Sequence, residues 1–315
     1  MKKFNKKALA LITSVAFATA FSGQANAGAK ALAHLNIDNF IIENSQGVQY
    51  DALDFSNLVI GDNSSTFALS ANNGIAGNQT VDATAGGGNA DDNMACVGTG
   101  CNPGWEDDFT QQLPPVNGSF ARSDTQLLGA LITGLDGTPG SANQVTADAF
   151  AEGQTSVTDI GTGASEVGTI TEFTFAMNAA DTITFDFDAD AFLDAILHQD
   201  ENDVSASIGF TIDIIDVDGG HGTAGANIYN FTPGAINTGI GLASEGTDDY
   251  LFAGSFSDTT QALQAANEYR LVIVHSADIS YDAVKPVSEP GMLAVFGMGL
   301  MGLAASRRRK IKSAA

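Results

Sequence analysis

The residues best placed to do chemistry are acidic. Asp186-Phe187-Asp188-Ala189-Asp190, with Asp194 beyond, opens like a calcium loop, in which alternate carboxylates offer hard oxygen ligands. The EF-hand pattern then fails: Ala191 stands where glycine is needed, and Leu197 where a bidentate Glu is needed. A strand with one wet face explains the same residues, and a looser, weak calcium site is the alternative. Asp213, Asp216 and Asp218 form a second cluster with the same two readings. The four histidines, His34, His198, His221 and His275, fall in no H-E-x-x-H pair, and neither a G-x-S-x-G elbow nor a phosphate-binding loop occurs. His221, in Gly219-Gly220-His221-Gly222, has flexible surroundings that a turn explains equally well. Carboxylate pairs suited to glycoside hydrolysis arise by chance among so many acids and discriminate nothing. Cys96 and Cys101 are the only cysteines. Without a nearby His or further Cys they make a poor zinc site, whereas in an oxidising compartment they pair, for about 2 kcal/mol. Trp105, the single Trp, is the natural anchor for a ligand platform; with Phe109 it is also a candidate packing anchor. Glu106-Asp107-Asp108 around them reads as a solvated loop.

The elements that must carry these residues read as strands. Leu35, Ile37, Asn39 and Ile41 alternate with His34, Asn36, Asp38 and Phe40, a first strand. Leu58-Val59-Ile60 and Thr66-Phe67-Ala68-Leu69 flank a turn at Gly61–Ser65. From Ser70 to Asn117 the chain is polar and rich in Gly, Asn and Asp, and reads as an irregular excursion pinned by the disulfide. Periodicity does not decide between strand and helix for 126–132 and 145–150. Further on the alternation is clean. Phe173, Phe175 and Met177 share a face, as do Ile183, Phe185 and Phe187, then Ile208, Phe210, Ile212 and Ile214. Asp218-Gly219-Gly220 turns the chain, Ile228–Phe231 follows, and Tyr269, Leu271 and Ile273 alternate with Arg270, Val272 and Val274. Strands at this spacing without helical partners predict an all-β, antiparallel β-sandwich or jelly-roll-like ectodomain.

Charge placement says which partners are excluded. Between Gly28 and Val284 the basic residues are Lys30, Arg122 and Arg270, against 36 acids, a net charge of −33. A body this acidic is repelled by nucleic acid and by anionic lipid, and attracts cations. Asp outnumbers Glu 28 to 9, which suits loops and strand ends better than helices.

Nearly all the positive charge lies at the two ends. Lys2, Lys3, Lys6 and Lys7 precede an apolar run from Ala8 to Phe21, and Ala25-Asn26-Ala27 is a small-residue cleavage site. Residues 1–27 therefore read as a signal peptide, with a helical apolar core, removed on export at Ala27. At the other end Ser288-Glu289-Pro290 precedes an uncharged apolar run, 291–305, and a basic end, 307–312, led by Arg307, Arg308 and Arg309. Fifteen apolar residues fall short of the roughly 20 of a full span. They predict a short transmembrane helix that the arginines stop on the cytoplasmic side.

That order of parts, within 285–315, resembles the PEP-CTERM sorting domain of Gram-negative bacteria. The likeness rests on Ser288-Glu289-Pro290, then Gly297-Met298-Gly299-Leu300-Met301-Gly302-Leu303-Ala304, then Arg307 to Arg309, with Ser288 in place of the family's first Pro. The resemblance implies processing by an exosortase-type membrane peptidase, transient residence in the inner membrane, and delivery to the cell surface or matrix beside exopolysaccharide or biofilm. An ordinary single-span anchor is the alternative for the tail. For the body, the expectation is a non-catalytic matrix protein with no cofactor beyond weak calcium. A carbohydrate-binding module anchored on Trp105 and a secreted hydrolase using a carboxylate pair are the alternatives.

Overall fold

The computed structural model describes residues 28–60, 65–72, 75–81, 90–110, 118–129, 131–132, 144–155, 161–198 and 201–283. The expected signal peptide with Ala25 and Ala27, and the tail with Ser288, Glu289, Pro290 and Arg307 to Arg309, lie outside them. Among the described residues no helix is long and apolar enough to cross a membrane.

Alternating apolar residues give strands nearly everywhere the chain is described. In chain order come β1 (Ala29–Glu43), β2 (Phe55–Ile60), β3 (Ser65–Asn72), β4 (Ile75–Val81) and β5 (Ala90–Gly98). Next are β6 (Phe120–Leu128), β7 (Val145–Gln154), β8 (Gly161–Met177), β9 (Thr184–Leu197) and β10 (Glu201–Asp216). The series ends with β11 (Ala226–Phe231), β12 (Thr238–Leu242), β13 (Gly246–Thr259) and β14 (Glu268–Ala283). One sheet runs β13-β9-β1-β7-β6-β5. The other runs β11-β10-β14-β8-β3-β4, with β12 also on β10 and β2 also on β8. All these pairs are antiparallel. The sheets face each other, β1 and β7 lying over β14 and β6 over β8, and share one core.

Side-chain size grades that core from end to end. Near the start of β1 the inward residues are Ala29, Ala31 and Ala33, with Gly153 and Ala151 beside them on β7, while in the other sheet Gly163 of β8 lies beside Tyr281 of β14. Tyr281 lays its ring into this small-residue end and donates its hydroxyl to Phe120 O at 2.9 Å. At the opposite end Phe40, Phe187 and Phe210 meet, with ring centroids 4.8–6.3 Å apart.

Three expectations need correction. The first strand does not alternate straight through. A bulge between Ile37 and Phe40 places Asn39 at φ 55°, a conformation Asn tolerates better than most residues. The bulge reverses the phase, so Phe40 and Ile42 enter the core while Asn39 and Ile41 stay half-exposed. The 70–117 segment is not irregular throughout, because it contains β4 and β5. Its inward positions are small and polar: Ser70 Oγ meets Ser123 Oγ at 3.0 Å, Ser165 Oγ at 2.9 Å and Ala95 O at 3.0 Å, so no apolar alternation marks it. Finally, Gly246–Thr259 forms β13, a strand the sequence reading does not assign.

Gly163 tests the graded core. A Cβ there would lie 2.0 Å from Tyr281 Cζ, and the buried ring is fixed by its hydroxyl bond. Gly163→Ala is expected to cost about 1–3 kcal/mol, read as a lower urea midpoint with an unchanged slope.

Candidate functional site

The outer face of the first sheet carries most of the polar chemistry, and it has two halves. Over β6 and β7 a loop roofs the sheet. Arg122 of β6 points outward opposite Glu152 of β7, and both are fully buried. Arg122 Nε donates to Glu152 Oε2 at 3.0 Å, and the remaining guanidinium nitrogens donate to Asp108 O at 3.1 Å and Thr110 O at 2.7 Å. The same guanidinium sits 4.5 Å from the Phe150 ring centre and 5.1 Å from that of Trp105, within cation–π reach. One side chain thus ties two strands and the loop together.

The loop is fastened elsewhere too. Cys96 at the end of β5 is disulfide-bonded to Cys101, the pairing expected of two cysteines in an oxidising compartment. Asn102 caps a single 3-10 turn at Pro103–Trp105, accepting from Gly104 N at 3.0 Å. Both carboxylate oxygens of Glu106 take the Met94 N–H, and Asp107 N donates to Asp124 at 2.9 Å. Phe109 stacks on His34 with an interplanar angle of 8°, and His34 Nε2 meets Asp148 Oδ1 at 3.1 Å. Burial pulls the pKa values of Arg122 and Lys30 down, and Glu152 opposes this in both.

Trp105 therefore serves packing and not display. It is 6 % exposed, its ring centre 5.2 Å from that of Phe120, so no open face is left for a sugar ring. Among the described residues, Glu106, Asp107 and Asp124 are the three carboxylates whose oxygens all approach within 4.8 Å. Such an oxygen-only set suits hard cations such as calcium or magnesium better than zinc. The sequence reads the first two as part of a solvated loop and carries no signal for Asp124, which β6 brings to them.

Beyond the roof the face is open and acidic. Asp186, Asp188 and Asp190 lie in a row on the outer side of β9, at strand spacing of about 7 Å from one to the next. That spacing keeps the three from converging on one ion. Asp188 instead accepts from Asn39 Nδ2 at 2.8 Å and from Ser255, and these bonds, with Ser255 the larger influence, hold its carboxyl below the usual range. Asn36, Asp38, Asp188, Asp190 and Ser255 line a shallow depression there. The second acidic cluster does not converge either. Asp213 faces outward and accepts from Asn227 and Asn230, while Asp216 is buried. Burial opposes the Asp216 charge, but backbone N–H groups of His221, Gly219 and Gly220 outweigh it and hold the carboxyl low. Asp218 binds Gly220 N and Glu268 N, so these acids organise a turn.

Three histidines have structural partners. His34 bonds Asp148, His221 Nε2 meets Tyr269 Oη at 2.8 Å, and His275 Nε2 donates to Leu35 O at 2.8 Å. His275 lies in the inter-sheet core, continuing the inward face of Tyr269 and Leu271, and its Nδ1 has no hydrogen-bond partner among the described residues. Burial pushes its pKa down to about 4. On the outer face of the second sheet Asp278 stands opposite Glu166. Burial, and secondly that neighbouring carboxylate, push Asp278 up to about 6.

Comparison with known proteins bears on the tail. Residues 286–310 match the family model of the PEP-CTERM protein-sorting motif. The motif implies an exported protein, processed by the membrane protein exosortase and delivered to the surface of a Gram-negative cell. No curated protein and no solved structure matches the chain.

Two predictions follow from the buried groups. Arg122→Ala or Glu152→Ala leaves an unpaired buried charge and is expected to cost about 3–5 kcal/mol in urea unfolding. The Arg122 variant also exposes the 99–110 loop to limited proteolysis. His275 resists protonation in the fold down to about pH 4, whereas the unfolded chain takes up that proton below 6.5. Stability from this group is therefore full above pH 6.5 and falls by up to about 3 kcal/mol as pH drops towards 4. Asp278 acts in the opposite sense, favouring the fold below pH 6. Stability–pH profiles of His275→Gln should lack the His275 slope, while Asp278→Asn should steepen the acid loss.

Proposed function

We propose that the body is a non-catalytic component of the extracellular matrix, embedded in exopolysaccharide after its tail has been processed. The observation that carries this is the sorting motif at 286–310. The charge of the body supports it: with 36 acids and three bases, it suits a hydrated polyanionic network bridged by divalent cations. The architecture is compatible as well, since the disulfide, the buried ion pair and three of the histidines all have structural partners.

A hydrolase is the second reading, and Asp278 is what favours it. A carboxyl pushed up to about 6 beside a second carboxylate has the makings of a glycosidase acid and its partner. The carbohydrate-module reading loses its anchor with Trp105 covered.

The test is the intact mass of protein recovered outside native cells, with thiols alkylated before reduction, followed by sedimentation with the host's exopolysaccharide. The expected result is a chain beginning near Gly28, ending near Ser288–Pro290, without alkylated cysteine, that sediments with the polymer and leaves it uncut. Retention of Arg307 to Ala315 in a membrane-bound form would overturn the sorting claim. Polymer cleavage abolished by Asp278→Asn would replace the matrix reading with the hydrolase.

A further inference from the structure

Strand β13 is an outermost strand of its sheet. It pairs with β9 over all fourteen residues, Gly246 to Thr259, without a bulge. Its other edge has no strand partner among the described residues. The facing strands on this side, β11 and β12, are themselves terminal on the second sheet, each paired to β10. The sandwich is therefore open along one flank. There the inward residues Tyr250, Phe252 and Phe256 of β13, and Phe231 and Ile240 opposite, are only half-buried, whereas those of β1 and β9 are fully buried. On the other face of β13 Leu251 is 76 % exposed.

Monomeric proteins guard such edges with Pro, Lys, an inward charge or a bulge. Strand β5, at the far end of the sheet, has a bulge between Asp92 and Ala95 and a disulfide. The middle of β13 has no such device: from Tyr250 to Ser257 it is uncharged, and its acids, Asp248, Asp249 and Asp258, lie towards the ends. In a body of charge −33, this is a stretch where a second copy can approach without meeting carboxylates at the point of contact.

The sequence also suits pairing with itself. With Gly254 opposite Gly254 in an antiparallel register, Phe252 faces Phe256 twice, Leu251 faces Ser257, Tyr250 faces Asp258 and Asp249 faces Thr259. Aromatic cross-strand pairs stabilise, and like charges directly opposite destabilise; this register has the first and avoids the second. Gly254 at the axis also leaves room for the neighbouring Phe252 ring, which a Cβ there would approach to 2.8 Å.

We propose that two copies of the protein join β13 to β13 about a two-fold axis, continuing the first sheet across both molecules. The main-chain groups of the free edges supply the hydrogen bonds, and the half-buried aromatics of the open flank are covered by those of the partner. The inference is independent of the matrix reading.

The experiment is sedimentation equilibrium of the exported protein, in wild-type form and as Ala253→Asp. Ala253 is exposed in the monomer and next to the proposed axis, so the substitution sets a carboxylate opposite the partner's Ser255 and diagonal to the partner's matching carboxylate, without touching the core. Wild type is expected at twice the chain mass at micromolar concentration, with Ala253→Asp about tenfold weaker or more and its thermal unfolding curve unchanged in shape. In the double variant A253C/S255C each new thiol lies opposite one of the partner, and mild oxidation should give a covalent dimer. A wild type that stays monomeric overturns the proposal. So does a dimer that Ala253→Asp leaves intact and A253C/S255C fails to crosslink, which would place the interface elsewhere.

Discussion

Thirty-six acids and three bases have to share one folded body, and the fold places each base where it joins two strands. Lys30 of β1 reaches Asp194 of β9 at 3.7 Å, Arg122 of β6 binds Glu152 of β7 at 3.0 Å, and Arg270 of β14 reaches Glu172 of β8 at 3.4 Å. These are different classes of interaction. The Arg270 pair is partly exposed and contributes little, as surface pairs generally do. The Arg122 pair is buried, so its gain is set against desolvation, and its larger consequence is geometric. Because the guanidinium also holds Asp108 O and Thr110 O, it fixes the end of the loop against the sheet.

The roof in turn explains the asymmetry of the first sheet. An antiparallel sheet commonly has one dry and one wet face. Here β6 and β7 are dry on both, because Trp105 and Phe109 cover Phe120, Phe150 and the ion pair. Past His34 the cover ends and the face changes to Asn36, Asp38, Asp188 and Asp190 within a few residues. Solvation of these carboxylates, and their bonds to Asn39, Thr146 and Ser255, are what the open half relies on.

How much of this was legible depended on residue size. Strands whose inward positions are Phe, Ile or Leu, such as β9 and β10, declare their period-two pattern directly. Strands whose inward positions are Ala, Ser or Gly do not, which is why β4 and β5 passed for irregular chain. Strand β13 was missed for another reason: Tyr250, Phe252 and Phe256 keep the period, but Gly254 interrupts it and Leu251 sits on the wet face. The reversal of phase at Asn39 is a backbone event that composition does not announce. Of the site, the disulfide was plain from two cysteines in an exported chain, and the row at Asp186, Asp188 and Asp190 was legible as a wet strand face. Arg122 was not recognised as a buried pair, although a lone Arg between Phe120-Ala121 and Ser123 in so acidic a chain was a usable signal. Its partner Glu152 lies 30 residues away, and only the pairing of β6 with β7 brings them together.

The place of the first and last strands has a consequence for export. Strand β1 is the first of the described strands, yet it lies between β7 and β9 in the interior of its sheet. Those partners come more than a hundred residues later. Strand β14, just before the tail, lies likewise between β10 and β8. Neither sheet can therefore close while the chain is still threading outward, and the polypeptide must cross as an extended coil and fold only once its final strand is through. Such delayed, long-range assembly is slow. Until it is complete, the strands on either side of β1 and β14 lack their partners, and a protease outside the membrane would meet extended chain.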